Sequence, residues 1–165
     1  MGLFDKLFKQ AEPIPEFSDD DIVSIGTGEI VDVKSLPDQM FATEALGKTC
    51  AFKLSSKDVL CPCNGKVEVV FPSGHAFAIR MADGTGILVH IGIDTVNLNG
   101  KGFKGLLKVG DTVKAGQKAV EVDWPTLMGA GLDTSTMLIV SEPVDGVTYS
   151  FKEVGPIEKY VSVRK

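Results

Sequence analysis

A chain of 165 residues with 44% hydrophobic and 24% charged side chains is long enough for one domain with a sizeable core, and its composition is ordinarily globular. Its net charge of −5, with Lys and Arg scattered rather than clustered, argues against a nucleic-acid partner, whose phosphates demand a basic footprint, and fits a basic protein partner better. No stretch approaches the roughly 20 apolar residues that span a bilayer.

In chain order, residues 1–10 come first. Leu3, Phe4, Leu7 and Phe8 recur at helical spacing on one side, with Asp5, Lys6 and Lys9 on the other. The spacing predicts a short amphipathic helix. Such a helix is marginal alone in water, so it either lies on a membrane surface or is a frayed or docked terminus. Residues 11–20 (AEPIPEFSDD) carry two prolines and a run of acids and are read as a linker. The division is a tail and linker over 1–20 and a domain over 21–165.

From residue 21 onward, short apolar runs rich in Val and Ile alternate with turn residues. Predicted strands cover 22–25, 29–33, 49–54, 66–71, 76–81, 86–93, 112–113, 118–122, 137–141, 147–152 and 160–164. Helical segments are expected only near 125–130 and 102–107. With 18 Gly and 8 Pro as punctuation, the expectation is an all-β domain, an antiparallel sandwich or partly closed barrel.

Cys50, Cys61 and Cys63 make an odd count, and no secretory signal precedes them. They read as free, buried thiols of a reducing cytoplasm. The Cys61-Pro62-Cys63 spacing lacks the further ligands a zinc site needs.

Only two histidines exist, His75 and His90. A lone histidine in an apolar strand is usually a core residue. Here Asp83-Gly84, a strong hairpin signal, lies between the two. A two-residue loop makes Phe77 face His90 and His75 face Gly92, so the imidazoles are diagonal neighbours with Cα atoms about 7–8 Å apart. A four-residue loop keeps them on one face but farther apart; a three-residue loop separates them. Side chains alternate along a strand, so Ser73 and Phe77 share a face with His75, and Leu88 and Gly92 share one with His90. Gly92 leaves room beside His90, while Ile87, Val89, Ile91 and Ile93 fill the core.

Two imidazoles and a hydroxyl at one apolar spot suit phosphoryl transfer. A neutral ring nitrogen attacks phosphorus while the other nitrogen is held by a hydrogen bond. The second histidine and Ser73 donate to the phosphoryl oxygens. The alternative is a metal, but two histidines are half a tetrahedral site; Asp94, water or a partner would have to complete it. No Gly-x-Ser-x-Gly elbow and no phosphate loop with Lys is present.

The segment GTGILVHIGIDTV (residues 84–96) resembles the phosphorylation-site signature of the glucose-type enzyme IIA family of the bacterial sugar phosphotransferase system. SGHAFAI (73–79) resembles the segment carrying that family's second active-site histidine, and MGLFDKL (1–7) its membrane-binding tail. Further similarity lies in GEIV (28–31), LPD (36–38), FA (41–42), NLNGKGF (97–103) and VGDTVKAG (109–116). The resemblance implies an antiparallel β-sandwich and a phosphoryl carrier. His90 would accept the group from the phosphocarrier HPr and pass it to the cysteine of a sugar-specific IIB domain. His75 would stabilise the phosphohistidine, with Ser73 in the hydrogen-bond relay. Asp38 and Asp94 would meet a basic partner surface, inside an apolar ring of Phe41, Phe71 and Leu88. The unphosphorylated form would also bind permeases or metabolic enzymes. No cofactor is required, and zinc enters only at an intermolecular site on His75 and His90. The location implied is cytoplasmic, or peripheral at the inner face of the membrane through the tail.

A metal-dependent peptidase of lysostaphin type needs a His-x-His pair, which is missing. A biotin or lipoyl carrier needs an acceptor-lysine hairpin, and none is read here.

Overall fold

The computed structural model describes residues 13–165; the amphipathic segment with Leu3, Phe4, Leu7 and Phe8 lies outside the described residues. Eleven strands are present among them: β1 (Gly28–Val31), β2 (Lys48–Leu54), β3 (Asp58–Leu60), β4 (Gly65–Val70), β5 (Ala76–Arg80), β6 (Gly86–Ile91), β7 (Phe103–Gly105), β8 (Thr112–Val113), β9 (Lys118–Val122), β10 (Thr136–Glu142) and β11 (Gly155–Ile157). Eight form one sheet in the order β11-β1-β2-β10-β6-β5-β4-β8; β3, β9 and β7 form a second. All pairings are antiparallel. The fold is the expected antiparallel sandwich.

The main core lies between the sheets. Phe52, Phe77, Ile79, Ile87, Val89, Ile91, Leu138 and Val140 of the large sheet meet Val59, Val120 and Val122 of the small one. Alternation along β10 explains why its run Met137-Leu138-Ile139-Val140 is apolar throughout. Leu138 and Val140 face the main core. Met137 and Ile139 face outward into a second cluster with Leu36, Phe41, Ala51 and Ile93, and Leu88 packs at its margin. A short helix, α1 (Gln39–Ala42), covers that cluster, its entry capped by the Asp38 carboxylate. His90 pairs with Met137 across β6 and β10, so it lies on this outer face beside α1.

Several elements differ from expectation. Residues 102–107 are not helical: Asn99, Gly100 and Gly102 take positive φ, which breaks a helix, and Phe103 pairs with Val122 as β7. The second helix, α2, is Trp124–Gly129. Residues 22–25, 147–152 and 160–164 form no strand: they make only the isolated bridges Val23–Ser162 and Phe151–Arg164, and Tyr160 sits in a turn with φ 71°. Val23 instead donates to the Pro62 carbonyl and Ser24 to that of Val161, partners that alternate between segments and build no ladder. The strands β3 and β11, of three residues each, and α1 carry too little periodicity to be read from sequence.

Residues 14–20 lie against the domain. The Asn64 amide donates to the Phe17 carbonyl (2.9 Å) and to an Asp19 carboxylate oxygen (3.2 Å), while its oxygen accepts from the buried Ala115 N–H (2.8 Å). Phe17 packs on Tyr160 at 6.5 Å between centroids. Asn64→Ala would leave the Phe17 carbonyl and the Ala115 N–H without these partners. The expected result in urea unfolding is a loss of about 1–3 kcal/mol, with faster proteolytic cleavage within residues 13–20.

Candidate functional site

The hairpin of β5 and β6 pairs Ala76 with His90, Phe77 with Val89 and Ile79 with Ile87. Met81 donates to the Thr85 carbonyl across a loop of residues 82–84. The loop has three residues, the register that strict alternation would use to part the two imidazoles. They are nevertheless together, with ring centroids 5.0 Å apart and planes at 77°. His75 precedes the first residue of β5 and follows a tight turn in which Gly74 (φ 77°) donates to the Phe71 carbonyl. At that turn the pleat no longer sets side-chain direction. The expected grouping of His75 with Phe77 on one face is therefore corrected: Phe77 points into the main core, and His75 turns outward to His90.

Each imidazole is held at Nδ1. His90 Nδ1 lies 2.8 Å from the Gly92 carbonyl oxygen. A carbonyl oxygen only accepts, so Nδ1 carries the proton and the neutral ring keeps its lone pair on Nε2. His75 Nδ1 contacts the Ser73 hydroxyl at hydrogen-bond range. Where that hydroxyl donates, His75 bears its proton on Nε2 and becomes a donor.

Gly92 does more than leave room. It adopts φ 72°, and a Cβ there would collide with the Thr95 methyl; the space beside it is occupied, not open. The role lies in its carbonyl, which spacing alone does not reveal.

Aromatic rings close the site. Phe41 stands 5.0 Å from the His90 ring, Phe71 5.2 Å edge-on to His75, and Phe103 6.5 Å from His75. Phe41 is buried and Phe71 partly exposed; Leu88 is half-buried beside the outer cluster. Met40 and Val96 are exposed apolar residues flanking Phe41 and Asp94 in sequence. Asp38 spends one oxygen on the Met40 N–H at 2.8 Å, so it is both a helix cap and a charge near His90. Asp94 is exposed in a left-handed conformation (φ 61°) without a capping bond. The two acids share an open cleft of about 470 Å³ with Pro37, Ile93, Gly131, Leu132 and Asp133. Among the described residues no cluster of three or more His, Cys, Asp or Glu could hold a metal ion.

Burial pushes the His75 pKa below its ordinary value. Burial does the same to His90, reinforced by His75 and opposed by the Gly92 carbonyl, Asp38 and Asp94. Both rings are thus favoured neutral, the form that can act as nucleophile. The thiols are buried, and desolvation raises Cys50 and Cys61 to about 12 and Cys63 higher still, so they are poor nucleophiles.

Residues 20–145 match the family profile described as phosphoenolpyruvate-dependent sugar phosphotransferase system, EIIA 1. The chain belongs to this family. It is 37% identical over 139 residues to a glucose-specific EIIA component of Oceanobacillus iheyensis, covering 84% of this chain and 83% of that one. A glucoside-specific EIICBA component of Staphylococcus carnosus is 36% identical over 115 residues, 70% of this chain and 17% of that longer one. The structure matches that of glucose permease IIA from Mycoplasma capricolum with a TM-score of 0.82 and 30% identity, over 87% of this chain and 93% of that one. The resemblance to glucose-type enzyme IIA drawn from the two histidine segments is thereby borne out, and the chain is a component of the phosphotransferase system. No helix among the described residues of this enzyme IIA is long and apolar enough to cross a membrane.

In histidine-detected NMR titration, both imidazole midpoints should lie below 6.5, the ordinary value. Replacing His75 by Gln should raise the His90 midpoint, and Asp38→Asn should lower it. A depressed folded midpoint means that the unfolded chain binds protons first. The two rings' stabilising contribution is therefore complete above 6.5 and lost as pH falls through the folded midpoints.

Proposed function

We propose that His90 is the phosphoryl acceptor of this enzyme IIA and that it reacts through Nε2. The observation that carries this is the Gly92 carbonyl on His90 Nδ1, which leaves the lone pair on the nitrogen not held by the protein. In the forward step His90 Nε2 forms a bond to phosphorus. The bond from phosphorus to its donor atom in phospho-HPr breaks, and its electron pair returns to that atom. The His90 ring becomes more positive, and the Gly92 carbonyl, aimed at Nδ1–H, stabilises that charge. His75, with Ser73 donating to its Nδ1, presents Nε2–H to the phosphoryl oxygens. In the second step a cysteine thiolate of a sugar-specific IIB domain attacks phosphorus, and the pair of the phosphorus–nitrogen bond returns to His90. A relative described as an EIICBA component, in which the matched segment is one part of a longer chain, supports a IIB-type acceptor.

Docking fits the same surface. Phe41, Phe71 and Leu88, with exposed Met40 and Val96, give an apolar rim, and Asp38 and Asp94 place negative charge toward a basic partner. Phosphorylation adds about −1.5 to −2 charges to this rim, so a permease or metabolic enzyme bound to the unphosphorylated face would be released. Zinc would find the lone pair of His90 Nε2, would gain His75 Nε2 only if that ring shifted its proton to Nδ1 with the Ser73 hydroxyl accepting, and would need further ligands from a partner. The thiols, all buried and free, suit a reducing cytoplasm.

Intact mass after incubation with enzyme I, HPr and phosphoenolpyruvate tests the reading. Wild type should gain one acid-labile phosphoryl group and His90→Ala none. His75→Ala should be labelled but slowed on the order of 10²-fold in onward transfer. Absence of labelling of wild type by matched donors would overturn the carrier role.

A further inference from the structure

The carbonyl that selects the reactive nitrogen of His90 belongs to a glycine, the residue whose peptide is least constrained by its own side chain. Something else must hold it. The backbone around it is fastened at three points. The Ile91 N–H donates to the His75 carbonyl at 2.7 Å. The Thr95 hydroxyl donates to the Ile91 carbonyl at 2.6 Å. The Ile93 N–H donates to the Asp133 carbonyl at 3.0 Å. The first and third are main-chain bonds that any sequence could make. The second depends on one side chain.

Thr95 has no exposed surface. It opens the short 3-10 turn Thr95–Leu98, and Asp94 before it has no side-chain capping bond. Its hydroxyl reaches back four residues, and its methyl fills the space where a side chain on Gly92 would stand. One residue therefore acts on both flanks of the Gly92 peptide: the hydroxyl fixes the carbonyl that precedes it, and the methyl packs on its Cα. Leu127 Cδ2 closes the same spot 3.4 Å from the Cβ position. None of these atoms belongs to the imidazoles or the docking rim.

We propose that Thr95 is a positioning residue for phosphoryl transfer, holding the Gly92 carbonyl against His90 Nδ1 so that Nε2 alone carries the lone pair. It touches neither the phosphoryl group nor a partner; it acts through Gly92. The inference rests on the carrier reading of His90 and adds to it the element that selects the nitrogen. Without the hydroxyl, the Ile91 carbonyl loses its donor, the Gly92 peptide gains freedom to rotate, and His90 populates both neutral tautomers.

The test compares Thr95→Val, which keeps the shape and removes the hydroxyl, with Thr95→Ser, which keeps the hydroxyl and removes the methyl. Imidazole 15N shifts report the His90 tautomer in the unphosphorylated protein, without any transfer reaction. Stopped labelling by phospho-HPr gives kcat and KM. Wild type and Thr95→Ser should show a single Nδ1–H tautomer. Thr95→Val should show averaged shifts, with kcat down on the order of 10-fold and KM for phospho-HPr unchanged. Should Thr95→Val not fold, Thr95→Ala takes its place against Thr95→Ser with the same expectations. Retention of wild-type 15N shifts and of kcat within about twofold in the hydroxyl-free variant, whatever its melting temperature, would overturn the proposal. A wild type that takes no phosphoryl group fails the carrier reading instead, and the 15N shifts still decide what Thr95 does.

Discussion

The oxygen of a peptide carbonyl can only accept a hydrogen bond, and at 2.8 Å from His90 Nδ1 the oxygen of Gly92 determines which end of the ring holds a proton. Much of the molecule serves that contact. The hairpin of β5 and β6 delivers His90 to the end of the large sheet. Gly92 permits the positive φ that turns its carbonyl back onto the ring. Thr95 and Leu127 fill the space beside it. The bond costs no charge and no cofactor, yet it makes the two nitrogens of one imidazole chemically different.

The surrounding surface follows from what a carrier must do. A group that is received from one protein and surrendered to another needs a nucleophile that is neutral, reachable and only partly enclosed. Desolvation favours the neutral forms of His90 and His75, while the Asp38 and Asp94 charges oppose that shift at His90. The deeper, nearly inaccessible His75 is pinned by Ser73 and flanked by Phe71 and Phe103. Holding one half-buried and one buried imidazole side by side needs two clusters in the fold. The main core supports the inner face of β6 at Ile87, Val89 and Ile91. The outer cluster under α1 brings Phe41 against His90.

Much of this was legible in residue order, and the reasons for the failures are local. β6 and β10 were readable because their apolar runs are buried on both faces. In a regular hairpin only a two-residue or four-residue loop brings His75 and His90 to one face, whereas the loop over 82–84 has three residues; the imidazoles meet because Gly74 turns His75 out of the pleat. Side-chain alternation holds only inside a paired strand, and His75 stands one residue outside. The residue pattern of 102–107 suggests a helix and so hides Phe103 as a neighbour of His75; positive φ at Asn99, Gly100 and Gly102 makes that helix untenable. The Gly92 carbonyl and the Thr95 hydroxyl were illegible for a different reason: main-chain acceptors and their supports leave no pattern in residue types.

The most direct measurement is the site of the phosphorus–nitrogen bond. Phosphorylated protein labelled with 15N in histidine distinguishes the two nitrogens by their coupling to 31P. The account predicts coupling at His90 Nε2, with Nδ1 still protonated and bonded to a carbonyl. Coupling at Nδ1 would contradict it, because that nitrogen is occupied by Gly92 in the structure.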